Sequence, residues 1–212
     1  SASVTLTLSG LVGSETLGST NTSTFNNKNV GTGKTVTVNS ITLADGSGLA
    51  ANYSISSGQT TTANIIAKSL TVSGITASNR TYDGSTNVTL TGTAVYSGLV
   101  DGDTFDGTYI GAFSDKNLGT GKTVNITSSY SGSDVNNYSV TDQSTTTANI
   151  TAKSLTVSGI TASDKTYDGS TSATLTGTAV YSGLVNGDIF TGSYTGAFSD
   201  KNVGTGKTVN IT

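Results

Sequence analysis

The chain has 212 residues, a formal net charge of −3 and 33% hydrophobic residues, with no Pro, Cys, Met, Trp or His. Without His or Cys it lacks the usual general base at neutral pH, an activated nucleophile and ligands for soft metals, so it is not expected to be an enzyme. Ten basic residues dispersed among thirteen acidic ones offer no track for a nucleic-acid backbone, and no run approaches the roughly 18 apolar residues of a membrane span.

Thr, Ser, Gly, Asn and Val dominate what remains, a composition of short strands joined by Gly, Asn and Asp turns. Low hydrophobic content is shared with disordered chains, but those also carry high net charge and few β-branched residues, and this chain does neither. An all-β fold with thin cores is expected.

In chain order the sequence is an array. Residues 1–66 form the C-terminal part of a first, diverged copy, in which N-V-G-T-G-K-T-V from Asn29 lies 88 residues before N-L-G-T-G-K-T-V from Asn117. Residues 67–151 are a complete second copy and 152–212 the N-terminal part of a third. At a period of 85, residues 67–127 match 152–212 at 51 of 61 positions. The chain opens and closes inside a repeat, which is the expectation for a window on a longer protein.

Within the second copy, Leu70 and Val72 alternate in a first strand, Gly74 marks a bulge, and Ile75 and Ala77 continue on a shifted register. After the Asp83-Gly84 turn, Val88, Leu90, Ala94 and Tyr96 predict a second long strand. Phe105, Gly107, Tyr109, Gly111 and Phe113 form a period-two row in a third. Val124, Ile126 and Tyr130 mark a fourth, Tyr138 and Val140 a fifth, and Ala148 and Ile150 a sixth. This spacing predicts tandem immunoglobulin-like β-sandwiches. Ala148, Ile150 and Ala152 share one parity and Leu155 and Val157 the other, which places a junction at Lys153-Ser154. The connection is short and lacks a Gly-Ser or Pro linker, so an extended rod is expected.

The T-Y-D-G motif at Thr81 and Thr166, the K-N-x-G-T-G-K-T-V segment and the closing T-T-A-N-I-T-A-K-S-L-T-V resemble the YDG and MBG-type repeats of bacterial surface proteins. The resemblance implies extracellular, tandem Ig-like stalk modules of large adhesins similar to filamentous haemagglutinins, located at the bacterial cell surface. It implies a structural spacer that projects an adhesive region, with neighbouring repeats of the same chain as partners. A self-assembling filament or sheath built from further copies is the alternative, and a carbohydrate-binding module a third. The absence of Cys fits a surface protein that folds outside the cell without an oxidase.

Several segments imitate sites. Gly-Thr-Gly-Lys-Thr, from Gly31, Gly119 and Gly204, copies the tail of a phosphate-binding loop, but Lys28, Lys116 and Lys201 stand where that loop needs its first Gly, and a strand is expected to follow. Asp101, Asp103 and Asp106 have the alternate spacing of oxygen ligands for calcium. The third copy has Asn186, Asp188 and Thr191 there and the first Gly13, Glu15 and Gly18, which favours a solvated turn. Calcium is the one cofactor the spacing brings into view. Lys68 and Asn149 are placed for an internal amide crosslink that would also need a buried carboxylate, and none is expected in an apolar strand. Tyr82, Asp83 and Gly84, with Tyr167, Asp168 and Gly169, read as a structural motif in which the Tyr buries its ring and bonds a nearby loop through its hydroxyl.

Overall fold

The structure is a computed structural model and describes residues 2–212. Among the described residues it is all-β, apart from two single 3-10 turns at Ala50–Asn52 and Val135–Asn137. The first copy contributes β1 (Leu17–Phe25), β2 (Gly31–Asp45) and β3 (Thr60–Ile65). The second contributes β4 (Lys68–Ser73), β5 (Thr76–Ala77), β6 (Arg80–Thr81), β7 (Leu90–Thr91), β8 (Val95–Ser97), β9 (Asp106–Phe113), β10 (Gly119–Ser131), β11 (Tyr138–Thr141) and β12 (Thr145–Thr151). The third contributes β13 (Thr156–Ala162), β14 (Ser172–Ala173), β15 (Leu175–Ser182), β16 (Gly196–Phe198) and β17 (Val209–Ile211).

The sheets run β1-β2-β3, β6-β12-β10-β9, β11-β4-β8, β5-β7, β13-β15 and β14-β16-β17. The hairpins are antiparallel, but β11 runs parallel to β4, with Tyr138 opposite Lys68, and β12 runs parallel to β6. The predicted long strand from Val88 to Tyr96 is instead two short ones. Gly92 has φ +81°, and the second copy's strand is interrupted there, with β7 paired to β5 and β8 separately to β4, whereas in the third copy the β13-β15 ladder runs on past the equivalent Gly177, φ +84°, with a register shift at Gly159. The predicted bulge at Gly74 is a break of the same kind, with φ +85°.

The chain forms two compact units that cut through the second copy instead of following the repeats. The first unit takes the residues up to Gly74, 93–109 and 128–143. Val36 and Val38 alternate inward on β2, and Leu70 and Val72 on β4, all nearly inaccessible. Phe105 sits among Tyr96, Tyr130 and Tyr138, with ring centroids 5.2, 5.1 and 5.8 Å away. A Cβ on Gly107 would fall 2.2 Å from the Tyr109 hydroxyl and 2.7 Å from that of Tyr96, so only glycine lets those hydroxyls bond at 3.1 Å.

The second unit takes residues 75–92, 110–127 and 144–212. Its core is Phe113, Val124, Ala148 and Ile150, with Ala77, Tyr82, Val88 and Leu90 packed against it. Gly111 leaves room for Leu90, whose Cδ2 would lie 2.6 Å from an added Cβ. The alternating Gly and aromatic residues of β9 thus serve close packing along its inward face.

Candidate functional site: the junctions between repeats

The Y-D-G turn is built from its own loop. Asp83 Oδ1 accepts the Ser85 N–H at 2.9 Å, an Asx turn, and Asp168 does the same with Ser170. Arg80 pins the turn from behind: its guanidinium donates to Asp83 Oδ2, to Ser85 Oγ and to the Asn87 carbonyl, and it lies 5.4 Å above the Phe113 ring. Lys165 takes this place in the third copy, bonding Asp168 at 2.8 Å over the ring of Phe198. The Ser85 amide is the main reason the Asp83 carboxyl sits below its ordinary value, whereas Lys165 is the main reason Asp168 is held down to about 2. Gly84 and Gly169 supply φ +81° and +78°.

The second copy's Y-D-G turn meets the third copy. The Tyr82 ring packs against the core, and its hydroxyl donates to Asp188 Oδ1 at 3.1 Å, across the repeat boundary; the Tyr167 ring of the third copy is exposed instead. Lys116 Nζ lies 3.7 Å from the same oxygen. A Cβ on Gly84 would stand 2.8 Å from Val185 Cγ1, so this glycine is needed for close approach as well as for its backbone.

The first copy meets the second through the same positions. Lys28, 88 residues before Lys116, places Nζ 2.7 Å from Asp103 and 2.7 Å from Asp134. The Val30 N–H donates to Asn137 Oδ1 at 2.9 Å beside it. Asp103 is held by the Tyr138 hydroxyl at 2.7 Å, and that oxygen in turn accepts the Val100 N–H at 2.9 Å. Hydrogen bonds to Asp103 and then Asp134 raise the Lys28 pKa, and Lys28 is the first cause of the lowered pKa of both carboxyls.

The segments that imitated sites fall into these contacts or beside them. Asp103 is engaged by Lys28 and Tyr138, while Asp101 and Asp106 are exposed, and among the described residues no three acidic side chains gather as a metal site. Gly-Thr-Gly-Lys opens strands β2 and β10 through a bulge, with no helix behind it, and Lys122 and Lys207 turn back onto Asp115 and Asp200 of their own loops. Asn149 Oδ1 accepts the Gly121 N–H, and Lys68 is exposed to solvent.

A cavity of about 530 Å³ opens in the third copy beside Ala162, Tyr167, Phe198 and Val209. Their counterparts Ala77, Tyr82, Phe113 and Val124 in the second copy pack with Ala148 and Ile150 of β12, so the cavity is an uncovered core face. Sequence reasoning missed the junction residues Lys28, Lys116, Asp134, Asn137 and Asp188 as partners. The recurrence of the Lys and the acidic residue at matching positions in successive copies was the available signal.

The model of the YDG domain matches residues 1–63, 66–148 and 151–212. The chain belongs to the YDG domain family. No curated protein and no solved structure gives a significant match. In the second copy Tyr82, Asp83 and Gly84 serve, respectively, a core face and a cross-repeat hydrogen bond, the turn, and close approach to the next copy.

Proposed function

We propose that this run of YDG domains is a spacer: a stalk segment of a large bacterial surface adhesin that holds an adhesive region away from the cell, in the extracellular space. The observation that carries the reading is the recurrence of one contact at both junctions, Lys28 with Asp103 and Lys116 with Asp188. A contact that repeats with the sequence period sets each copy against the next in a similar way, and length then scales with copy number. Immunoglobulin-like sandwiches in an extended rod are the arrangement this reading requires of whole repeats. The aromatic rings support it too, because Phe105, Phe113 and Tyr138 are buried and unavailable as a carbohydrate platform. No catalytic or cofactor role is part of the proposal.

Small-angle scattering on whole-repeat pieces tests it. In dilute protein, a stalk gives a monomeric, elongated particle whose longest dimension grows by a constant increment per repeat. Ordered polymers would favour the filament, a reading supported by the exposed apolar side chains Ile189, Phe190 and Val203. A particle that does not lengthen with added repeats would remove the spacer reading.

A further inference from the structure

The junction between the second and third copies has a basic face and an acidic face. The basic face is Tyr82, Gly84 and Lys116, whose hydroxyl and ammonium donate, and the acidic face is Val185 with Asp188, whose carboxylate accepts. The third copy repeats the basic face as Tyr167, Gly169 and Lys201, and among the described residues it is left open: Tyr167 is 57% exposed, a Cβ on Gly169 would meet no atom within 4 Å, and Val203 beside Lys201 is 88% exposed.

The first copy repeats the acidic face. Val12 stands where Val100 and Val185 stand, and Glu15 where Asp103 and Asp188 stand. Its chemistry is already arranged: the Tyr53 hydroxyl donates to Glu15 Oε2 and accepts the Val12 N–H at 3.0 Å, the same relay by which Tyr138 holds Asp103 beside Val100. Val12 is 71% exposed. Leu49 stands where Asp134 would supply a second anion, so Glu15 is a single-carboxylate face like Asp188.

We propose that the Tyr167–Gly169–Lys201 face is a docking surface for the acidic end of another YDG repeat, and that a second copy of this chain fills it with Val12 and Glu15. Lys201 pairs with Glu15, and the Val12 side chain enters the space over Gly169 that a Cβ would close. The contact is heterologous, a patch of the first copy against a different patch of the third copy of another molecule, so it does not close on a two-fold axis. Charges of opposite sign meet beside an apolar contact, which fixes the register. Between separate molecules the contact lacks the high effective concentration that the short connections within one chain provide, so it populates only in concentrated protein, on the order of millimolar.

Zero-length carbodiimide coupling of a mixture of isotope-labelled and unlabelled chains tests this at high concentration, because it joins only paired amines and carboxylates and mixed isotopes mark bonds between molecules. The expected result is a mixed-isotope Lys201–Glu15 link, alongside Lys28–Asp103 and Lys116–Asp188 links within single chains. Val12→Asp leaves both reacting groups in place and is expected to lower the Lys201–Glu15 yield on the order of tenfold while sparing the internal links. The double variant Lys201→Glu with Glu15→Lys is expected to restore a link at the swapped positions. Absence of the mixed link while the internal ones form overturns the proposal, as does a yield indifferent to Val12→Asp, a Lys201 coupled evenly to many carboxylates, or failure of the internal links.

Discussion

The second and third copies carry nearly the same residues and bury them differently. Phe105 is 6% exposed and its counterpart Phe190 48%; Val72 is 3% exposed and Val157 43%. The differences in sequence are too few and too mild to cause this. What differs is cover: in the second copy β11 lies against β4 and β12 between β6 and β10, and the third copy has no such strands over the same residues. Burial in the second copy therefore comes from the return of its last strands to its first.

The largest test of this comparison is truncation at one position in both copies. Leu70 is fully inaccessible, and Leu70→Ala is expected to destabilise the chain by about 2–5 kcal/mol through lost burial and the cavity left behind. Leu155→Ala, at a half-buried site, should cost less than half as much. Urea titration followed by tyrosine fluorescence measures both, and equal losses would break the comparison.

Next comes the glycine of the motif. Gly169→Ala carries only the left-handed backbone cost of about 1–2 kcal/mol, whereas Gly84→Ala carries that cost plus a clash with Val185. Gly84→Ala should therefore exceed Gly169→Ala by about 1 kcal/mol or more in the same titration. The reverse order would mean the junction yields freely.

Acid sharpens the comparison at the first junction. Asp103 and Asp134 have pKa values below the ordinary 3.8, so their contribution is present above 3.8 and is lost as pH falls through their lowered values. Lys28 is raised from 10.5, so its contribution is intact below 10.5 and lost only as pH rises through its higher value. The Val30 amide, bonded to Asn137, is the reporter. Its exchange protection, corrected for intrinsic rate, should hold at neutral pH and fall in strong acid, and Asp103→Asn should lower it at neutral pH.

The smallest effect is that of one hydroxyl. Tyr82→Phe removes the bond to Asp188 and should cost about 1 kcal/mol, while Tyr167→Phe should cost nothing measurable because its ring is exposed. Thermal unfolding of the two variants against the parent chain checks this.

Much of the fold was legible because β-strands declare themselves by alternation. Leu70 with Val72, Gly107 through Phe113, and Val124 with Ile126 each lie on an inward face of the expected strand. The break at Gly92 was not legible, since the residues on either side keep the alternation and only the backbone angle shows the interruption. The site was legible in part. The turn chemistry of Asp83-Gly84 and the inward Tyr82 ring follow from residue type, but the hydroxyl's partner, Asp188, is 106 residues away, and local pattern carries no information about contacts at that distance. For the same reason Asp103 looked like a member of an acidic turn, and Lys28 like a misplaced residue of a phosphate loop, until the structure put them 2.7 Å apart.

The parallel pairing of β4 with β11 bears on how a repeat yields to tension. Tyr138, Ser139, Val140 and Thr141 lie in register with Lys68, Ser69, Leu70 and Thr71. A pull along the chain toward the N-terminal end of β4 runs parallel to that ladder, so its hydrogen bonds are loaded in shear and must fail together, whereas a hairpin opened from its end unzips one bond at a time. The strand by which the second repeat is tethered to the first is thus seated in the geometry that resists being drawn out.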